Sequence, residues 1–237
     1  MIELGPDEVH VYVLFAGAAD QPVMPERAAR LCPAERARYD RYRFPNKKNE
    51  FLFGKLLTRW VLSRYHARGP ESWTFVEAAR GKPDAHDADG LRFNLSHTRG
   101  LLAVAITRQR EVGIDVEEIE RRDAAVADRF FAPEEAAQVR AAPEAAKDRL
   151  FARFWTLKEA YIKAHGDGLS IPLASFRFVL EDPVRIEFRE PEGGDPREWW
   201  FAFRDVSAQH ALAVAVRTRG PMRAAWFDVS LDQLAAV

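Results

Sequence analysis

The feature that most constrains the fold is a pattern that occurs twice along the chain. Residues 46–65 and 148–165 carry the apolar spacing of long helices. Short strand-like runs follow each helix, and two of these runs, residues 102–106 and 212–216, read LAVAI and LAVAV. The pattern predicts an α+β fold, a pseudo-dimer of two similar halves, each a long helix packed on a small, mainly antiparallel sheet.

The expected halves are residues 1–116 and 117–237, with a cleft between them. Pro33 begins a short helix that ends before Pro45, and Asn46 caps the first long helix. Residues 81–90 form an exposed polar loop. A further short helix covers residues 133–140. The remaining predicted strands cover residues 9–16, 73–76, 91–95, 101–107, 112–116, 176–180, 184–189, 199–205 and 212–216.

Composition limits the classes of function. Apolar residues make up 47% of the 237 residues, which is enough for a folded core. The net charge of −1 gives no basic footprint, so no nucleic-acid partner is predicted. The single Cys32 indicates a reducing compartment, and the acidic start of the chain does not read as a signal peptide. No apolar run reaches the length of a membrane span, so we predict a cytoplasmic protein without membrane contact.

The stretch FWTLKEAYIK, residues 154–163, lies in the second long helix. Glu159 and Lys163 are four residues apart and therefore share one flank. Lys158 falls inside the apolar stripe, where an ammonium group needs an anion or water within reach. An ordinary solvated ion pair on an amphipathic helix would explain Glu159 and Lys163 equally well.

Two carboxylates alternate with apolar residues in VGIDVE, residues 112–117. In a strand Asp115 and Glu117 project from one face, because side chains alternate with a period of two. Together with Glu159 they could form an oxygen-rich site suited to Mg²⁺. The alternative is the beginning of a solvated acidic turn.

Two further motifs could contact phosphate. Lys82 is flanked by Gly81 and Pro83 in a loop, and Ser96-His97 ends a strand in FNLSHT. Each could also be an ordinary solvent-exposed or capping turn.

The order of the four motifs resembles that of 4′-phosphopantetheinyl transferases of the surfactin-synthetase-activating type. GKP, FNLSHT, GIDVE and FWTLKEAYIK, followed by GDGL, occur in that order, and the similarity spans residues 33–216. The resemblance implies a monomeric pseudo-dimer that binds coenzyme A between its halves.

The resemblance also implies roles for individual residues. Asp115, Glu117 and Glu159 would be the Mg²⁺ ligands, and Asp115 would also border coenzyme A. Glu159, Lys163 and Lys158 would be catalytic, with both lysines facing the pyrophosphate.

The resemblance also implies the residues that bind the nucleotide. The 3′-phosphoadenosine part of coenzyme A would contact Lys82, Pro83, Ser96 and His97, and its 3′-phosphate would be bound by Arg38, Lys47 or Lys48. Glu135 would be another acid at the cleft. Glu35 and Glu50 stand where relatives often carry basic residues.

The implied activity is transfer of the 4′-phosphopantetheine arm of coenzyme A to a serine of an apo acyl or peptidyl carrier protein. Adenosine 3′,5′-bisphosphate would be released.

Two other classes of function remain open from the residues alone. A coenzyme A or nucleotide binding module is disfavoured because clustered carboxylates and lysines are costly without chemistry to perform. A Mg²⁺-dependent phosphodiesterase acting on nucleic acid is disfavoured because the sequence has no basic track interleaved with aromatic residues.

Overall fold

The computed structural model describes residues 1–17, 25–77, 83–119, 124–166, 168–190 and 193–235. The helices in these ranges are α1 (Pro25–Ala28), α2 (Pro33–Arg41), α3 (Pro45–Ser63), α4 (Ala124–Phe130), α5 (Pro133–Ala141), α6 (Glu144–His165) and α7 (Leu231–Ala235). The strands are β1 (Glu8–Phe15), β2 (Phe75–Glu77), β3 (Pro83–Ala85), β4 (Leu91–Thr98), β5 (Leu101–Arg108), β6 (Val112–Glu118), β7 (Phe176–Val179), β8 (Arg185–Phe188), β9 (Trp199–Ser207), β10 (His210–Arg217) and β11 (Arg223–Val229). None of these helices combines the length and apolarity needed to cross a bilayer.

The first sheet has the strand order β11-β1-β5-β4. Strand β1 pairs antiparallel with β5 and parallel with β11, which returns from the far end of the chain. One face of this sheet packs on α3, because Leu102, Val104 and Ile106 of β5 join the apolar residues of that helix in one core. The long helix of the first half therefore covers a sheet that the second half completes.

The second sheet has the order β6-β10-β9 and is antiparallel throughout. Helix α6 packs on one face of it, against the small side chains of Ala213 and Ala215. On β6 the approach is closer still, since a Cβ atom added to Gly113 would lie 2.1 Å from the carbonyl oxygen of Ala160. Glycine at this position lets α6 lie directly on the strand that carries Asp115.

A central apolar layer lies between the two sheets. Alternate residues of β1, β5, β6 and β10 fill it, including Ile114 and Val116 of β6. Those two side chains point away from Asp115, which confirms the predicted alternation along this strand. The order of layers is helix α3, first sheet, second sheet and helix α6, and this mixed architecture confirms the α+β prediction.

The two similar strings are not equivalent in the structure. In β5 the large residues face α3, whereas in β10 Leu212, Val214 and Val216 face the central layer and the alanines face α6. Strand β6 pairs with β10, and β11 pairs with β1, so strands cross the expected boundary near residue 116 in both directions. The pseudo-dimer and its division at residue 116 stay predictions.

Several boundaries differ from the predicted ones. Helix α3 begins at Pro45 with Phe44 as its N-cap, so the prediction that Asn46 caps it is wrong. Proline fits the first helical turn because its φ is already helical and its missing N–H needs no partner there. Helix α6 ends at His165, as predicted, and Gly166 terminates it with a left-handed backbone whose φ is 86°. No prediction covered α1, β3, α4, β11 or α7.

Candidate active site

The site begins where β4 lies beside β6, with polar side chains joining the two sheets. Asn94 and Ser96 are two residues apart on β4 and therefore point the same way. The Asn94 side-chain oxygen accepts a hydrogen bond from the backbone N–H of Ile114 at 2.9 Å. The Ser96 hydroxyl donates to Asp115 Oδ1 at 2.9 Å and lies 3.3 Å from the backbone nitrogen of Val116.

Helix α6 adds a cation to this junction. Lys163 Nζ lies 2.6 Å from Asp115 Oδ1 and 3.1 Å from the Ser96 hydroxyl. The contact depends on the close approach at Gly113, because that approach brings the last turns of α6 over β6. Ser96, Asp115 and Lys163 thus form one hydrogen-bonded cluster, called the SDK cluster below, built from β4, β6 and α6.

Two carboxyl groups at the SDK cluster, those of Asp115 and Glu159, have raised pKa values. Burial raises the pKa of Asp115, against the opposing charge and hydrogen bond of Lys163. Burial also raises the pKa of Glu159, and the nearby charge of Asp115 raises it further. The second carboxylate oxygen of Asp115, Oδ2, is buried and has no hydrogen-bond partner among the described residues. Buried polar atoms are usually satisfied, so this oxygen is the expected place for a ligand.

The donor set fits a divalent cation at Asp115 Oδ2 and Glu159. Two mutually repelling carboxylates with an unused buried oxygen are what a hard cation neutralises. Glu117 lies two residues farther along β6, half-buried. As the side chains stand, no three acidic, histidine or cysteine residues of the described ranges are grouped tightly enough to hold a metal. The roles of Asp115, Glu117 and Glu159 as Mg²⁺ ligands stay predictions.

A cavity of about 190 Å³ has His97 on its wall, the residue that follows Ser96 on β4. Its lining mixes aromatic rings with cations from α2 and α3, and includes the predicted residues Arg38 and Lys47. Burial lowers the pKa of His97, and the charge of Glu50, whose Oε2 lies 3.7 Å from His97 Nδ1, opposes the shift. Lys48 is not among the lining residues and instead lies over the ring of Tyr39.

Lys158 and Glu135 lie elsewhere, and here the structure corrects the sequence analysis. Both side chains are fully buried, and Lys158 Nζ is 2.8 Å from Glu135 Oε2. Lys158 also donates to the carbonyl oxygens of Leu173 and Phe176, while Glu135 accepts from the backbone N–H of Phe178. With its donors engaged and no exposed surface, Lys158 does not reach the cleft, so the prediction of a catalytic or pyrophosphate-facing role is wrong for this conformation. The anion that its position in the apolar stripe required is Glu135.

The structure thus brings part of the predicted site together. Ser96, Asp115, Glu159 and Lys163 converge, and His97 adjoins them. Lys82 lies outside the described residues, and Pro83 begins β3.

Three residues that build the site were not predicted to have a role there. Asn94 stands two residues before Ser96 in FNLSHT, and that period-two spacing could have identified it. Gly113 carries the close contact of β6 with α6, and Glu50 stands on the cavity wall.

Comparison with known proteins gives this geometry a class. Residues 111–215 match the family model described as the 4′-phosphopantetheinyl transferase superfamily, and this range holds both Asp115 and the FWTLKEAYIK motif. The chain is 37% identical over 171 residues to the 4′-phosphopantetheinyl transferase HetI of Nostoc sp., covering 69% of this chain and 71% of HetI. It is 32% identical over 195 residues to the 4′-phosphopantetheinyl transferase psf-1 of Bacillus pumilus, covering 82% of each chain.

The chain therefore belongs to the 4′-phosphopantetheinyl transferase superfamily. It is similar to the surfactin-type enzyme as well: Sfp of Bacillus subtilis is 28% identical over 181 residues, covering 75% of this chain and 80% of Sfp. The predicted enzyme class is confirmed, and the activity of the family is transfer of phosphopantetheine to carrier proteins.

Proposed function

We propose that this enzyme takes the 4′-phosphopantetheine arm from coenzyme A and transfers it to a serine of an apo acyl or peptidyl carrier protein, in a reaction that requires Mg²⁺ and releases adenosine 3′,5′-bisphosphate. The observation that carries the proposal is the SDK cluster with Glu159 beside it, together with a cation-lined cavity whose wall includes His97. A pyrophosphate needs cations at its oxygens, and an attacking serine needs a base.

Asp115 and Glu159, with Glu117 as the third carboxylate, would hold the Mg²⁺ ion. When bound, that ion supplies positive charge to the phosphate oxygens of the substrate. Asp115 Oδ2 is free for this role because Oδ1 already accepts from Ser96 and Lys163.

Glu159 and Lys163 perform the two remaining tasks, removal of the serine proton and stabilisation of the leaving oxygen. The half-buried Glu159 carboxylate accepts the proton of the incoming serine, directly or through a water molecule. The Lys163 ammonium, whose side chain is 30% exposed, stabilises or protonates the oxygen that leaves with the nucleotide. Ser96 holds the Asp115 and Lys163 side chains in register, so its hydroxyl positions the charged groups.

Partner binding completes the proposal. The adenosine end of coenzyme A occupies the cavity beside His97, with Arg38 and Lys47 on its wall and Lys82 as a further contact from the resemblance. The carrier protein docks on the segment after α6, around residues 166–173. The enzyme acts as a cytoplasmic monomer.

A single incubation tests this function. The protein is mixed with coenzyme A, Mg²⁺ and an apo carrier protein, and the carrier is followed by mass spectrometry. We expect a mass gain of one phosphopantetheine, with adenosine 3′,5′-bisphosphate in the supernatant, and no gain after chelation of divalent ions. Asp115→Ala should abolish the gain while its circular dichroism spectrum stays that of the wild type. Tight coenzyme A binding without transfer to any of several apo carriers would contradict the proposal.

A further inference from the structure

The cavity beside His97 has an unusual charge arrangement for a site that accepts a polyanion. Three cations line it: Arg38 of α2, and Lys47 and Lys55 of α3. A carboxylate, that of Glu50, lies on the same wall with its side chain only 14% exposed. An anionic ligand in this cavity therefore meets a negative charge as well as positive ones.

Lys47 and Lys55 are already held by carboxylates. Lys47 Nζ lies 2.6 Å from Glu50 Oε2, and Lys55 Nζ lies 3.3 Å from Glu35 Oε1. The same Glu50 oxygen is 3.7 Å from His97 Nδ1. A phosphate that approached Lys47 or His97 would have to displace Glu50 or accept like-charge repulsion from it.

The rest of the lining suits a flat aromatic base. Tyr42, Phe51, Phe75 and Phe93 contribute rings to the wall. Aromatic side chains stack on nucleobases whether or not the sugar carries a phosphate. The rings therefore bind the adenine. The charged side chains determine whether a ribose with a 3′-phosphate or one with a 3′-hydroxyl binds better.

We propose that Glu50 makes dephospho-coenzyme A a second substrate of this enzyme. The inference rests on the proposed function, which puts the adenosine end of the donor in this cavity. Coenzyme A and dephospho-coenzyme A differ only at the ribose 3′ position, which carries a phosphate in the first and a hydroxyl in the second. Glu50 opposes the 3′-phosphate by repulsion and by occupying Lys47, whereas a 3′-hydroxyl can donate a hydrogen bond to a carboxylate.

The reaction with the second donor balances in the same way as the first. The carrier serine oxygen forms a bond to the phosphorus next to the pantetheine arm, and the bond from that phosphorus to the bridging oxygen breaks. The bridging oxygen leaves as part of adenosine 5′-monophosphate, and the serine proton passes to Glu159 and then to solvent. The modified carrier is identical in both cases, and only the released nucleotide differs.

The test compares donors in wild type, in Glu50→Gln and in a matched control, Glu198→Gln. Glu198 also pairs with cations, Arg217 and Arg219, at 2.9 and 2.8 Å, but it does not line the cavity. The ratio of kcat/KM for coenzyme A to that for dephospho-coenzyme A is measured from the release of the two nucleotides. We expect wild type to use both donors within about tenfold of each other. Release of Lys47 in Glu50→Gln should raise the preference for coenzyme A by about tenfold, the scale of one charge-assisted hydrogen bond, with no change in the control.

A binding measurement keeps this proposal separate from the proposed function. Calorimetric titration with adenosine 3′,5′-bisphosphate and with adenosine 5′-monophosphate needs neither carrier protein nor turnover. Glu50→Gln should improve binding of the bisphosphate by about tenfold and leave the monophosphate nearly unchanged. Loss of all transfer in wild type, with this binding pattern intact, would count against the function and not against Glu50. An unchanged ratio in both assays, or rejection of dephospho-coenzyme A by the wild type, would overturn the role of Glu50.

Discussion

The buried pair of Lys158 and Glu135 allows a decisive test, because a structural and a catalytic lysine would respond differently to the same substitution. Lys158→Met keeps most of the length of the side chain and removes its charge. It leaves the Glu135 carboxylate buried without a cation, and it removes the hydrogen bonds that Lys158 donates to the carbonyl oxygens of Leu173 and Phe176. Removal of one partner from a buried ion pair typically costs about 3–5 kcal/mol of unfolding free energy.

The stability loss caused by Lys158→Met should depend on pH in a defined direction. Burial already raises the pKa of Glu135, and Lys158 opposes the shift, so the substitution raises it further. A carboxyl group with a raised pKa in the folded state contributes stability below its unfolded pKa and loses that contribution as pH rises through its folded pKa. The deficit of Lys158→Met should therefore be largest near neutral pH and smaller near pH 5.

Urea unfolding at the two pH values, followed by circular dichroism, measures the effect. Lys147→Met is the matched control, since Lys147 lies on the same helix and pairs with Glu144 at the surface; it should cost less than about 1 kcal/mol. Adding Glu135→Gln to Lys158→Met removes the stranded charge, so the double variant should lose less than the sum of the two single losses. Normal stability with abolished transfer in Lys158→Met would refute the structural assignment and restore a catalytic role.

Three further predictions follow from the site and the core. Glu159→Gln should lower the transfer rate by about 10²-fold with an unchanged urea midpoint, and its effect should be non-additive with that of Lys163→Ala; wild-type turnover in Glu159→Gln would contradict its role as base. Gly113→Ala should cost more than about 2 kcal/mol of stability, because the new Cβ would overlap the carbonyl oxygen of Ala160; thermal unfolding measures this loss, and an unchanged midpoint would show that α6 and β6 pack less closely. Burial lowers the pKa of His10, so its contribution to stability is complete above pH 6.5 and falls as pH drops through its folded pKa; His10→Asn should flatten this decline in urea titrations between pH 7 and 5, and an equal slope would refute it.

The parts of the fold that follow from local pattern could be predicted from the sequence. The alternation in VGIDVE correctly separated Asp115 from the core-facing Ile114 and Val116, and the apolar spacing correctly ended the second long helix at His165. The convergence of Asp115 with Lys163 came from the order of motifs, which the resemblance supplied. Spacing alone allowed a surface pair of Glu159 and Lys163 equally well.

The parts that depend on distant partners could not be predicted. The helical period put Lys158 in an apolar stripe, but its counter-ion is 23 positions earlier, on another helix. Strand β11 forms only because β1, more than 200 residues away, offers it a pairing edge. The orientation of strands β5 and β10, which carry the two similar sequences, could not be predicted either. Period-two alternation shows that a strand has two faces, but it does not show which face contacts the helix.

The parallel pairing of β11 with β1 has a consequence for the order in which the protein is made. During synthesis β1 leaves the ribosome before β11, and the strand that covers one of its edges is translated more than 200 residues later. Until then the nascent chain carries an uncovered, strongly apolar strand edge, which is a template for wrong association. A product truncated before residue 223 would keep the SDK cluster in its sequence and still lack the edge strand that completes the first sheet. The yield of active enzyme in a cell should thus depend on how nascent chains are protected before β11 emerges.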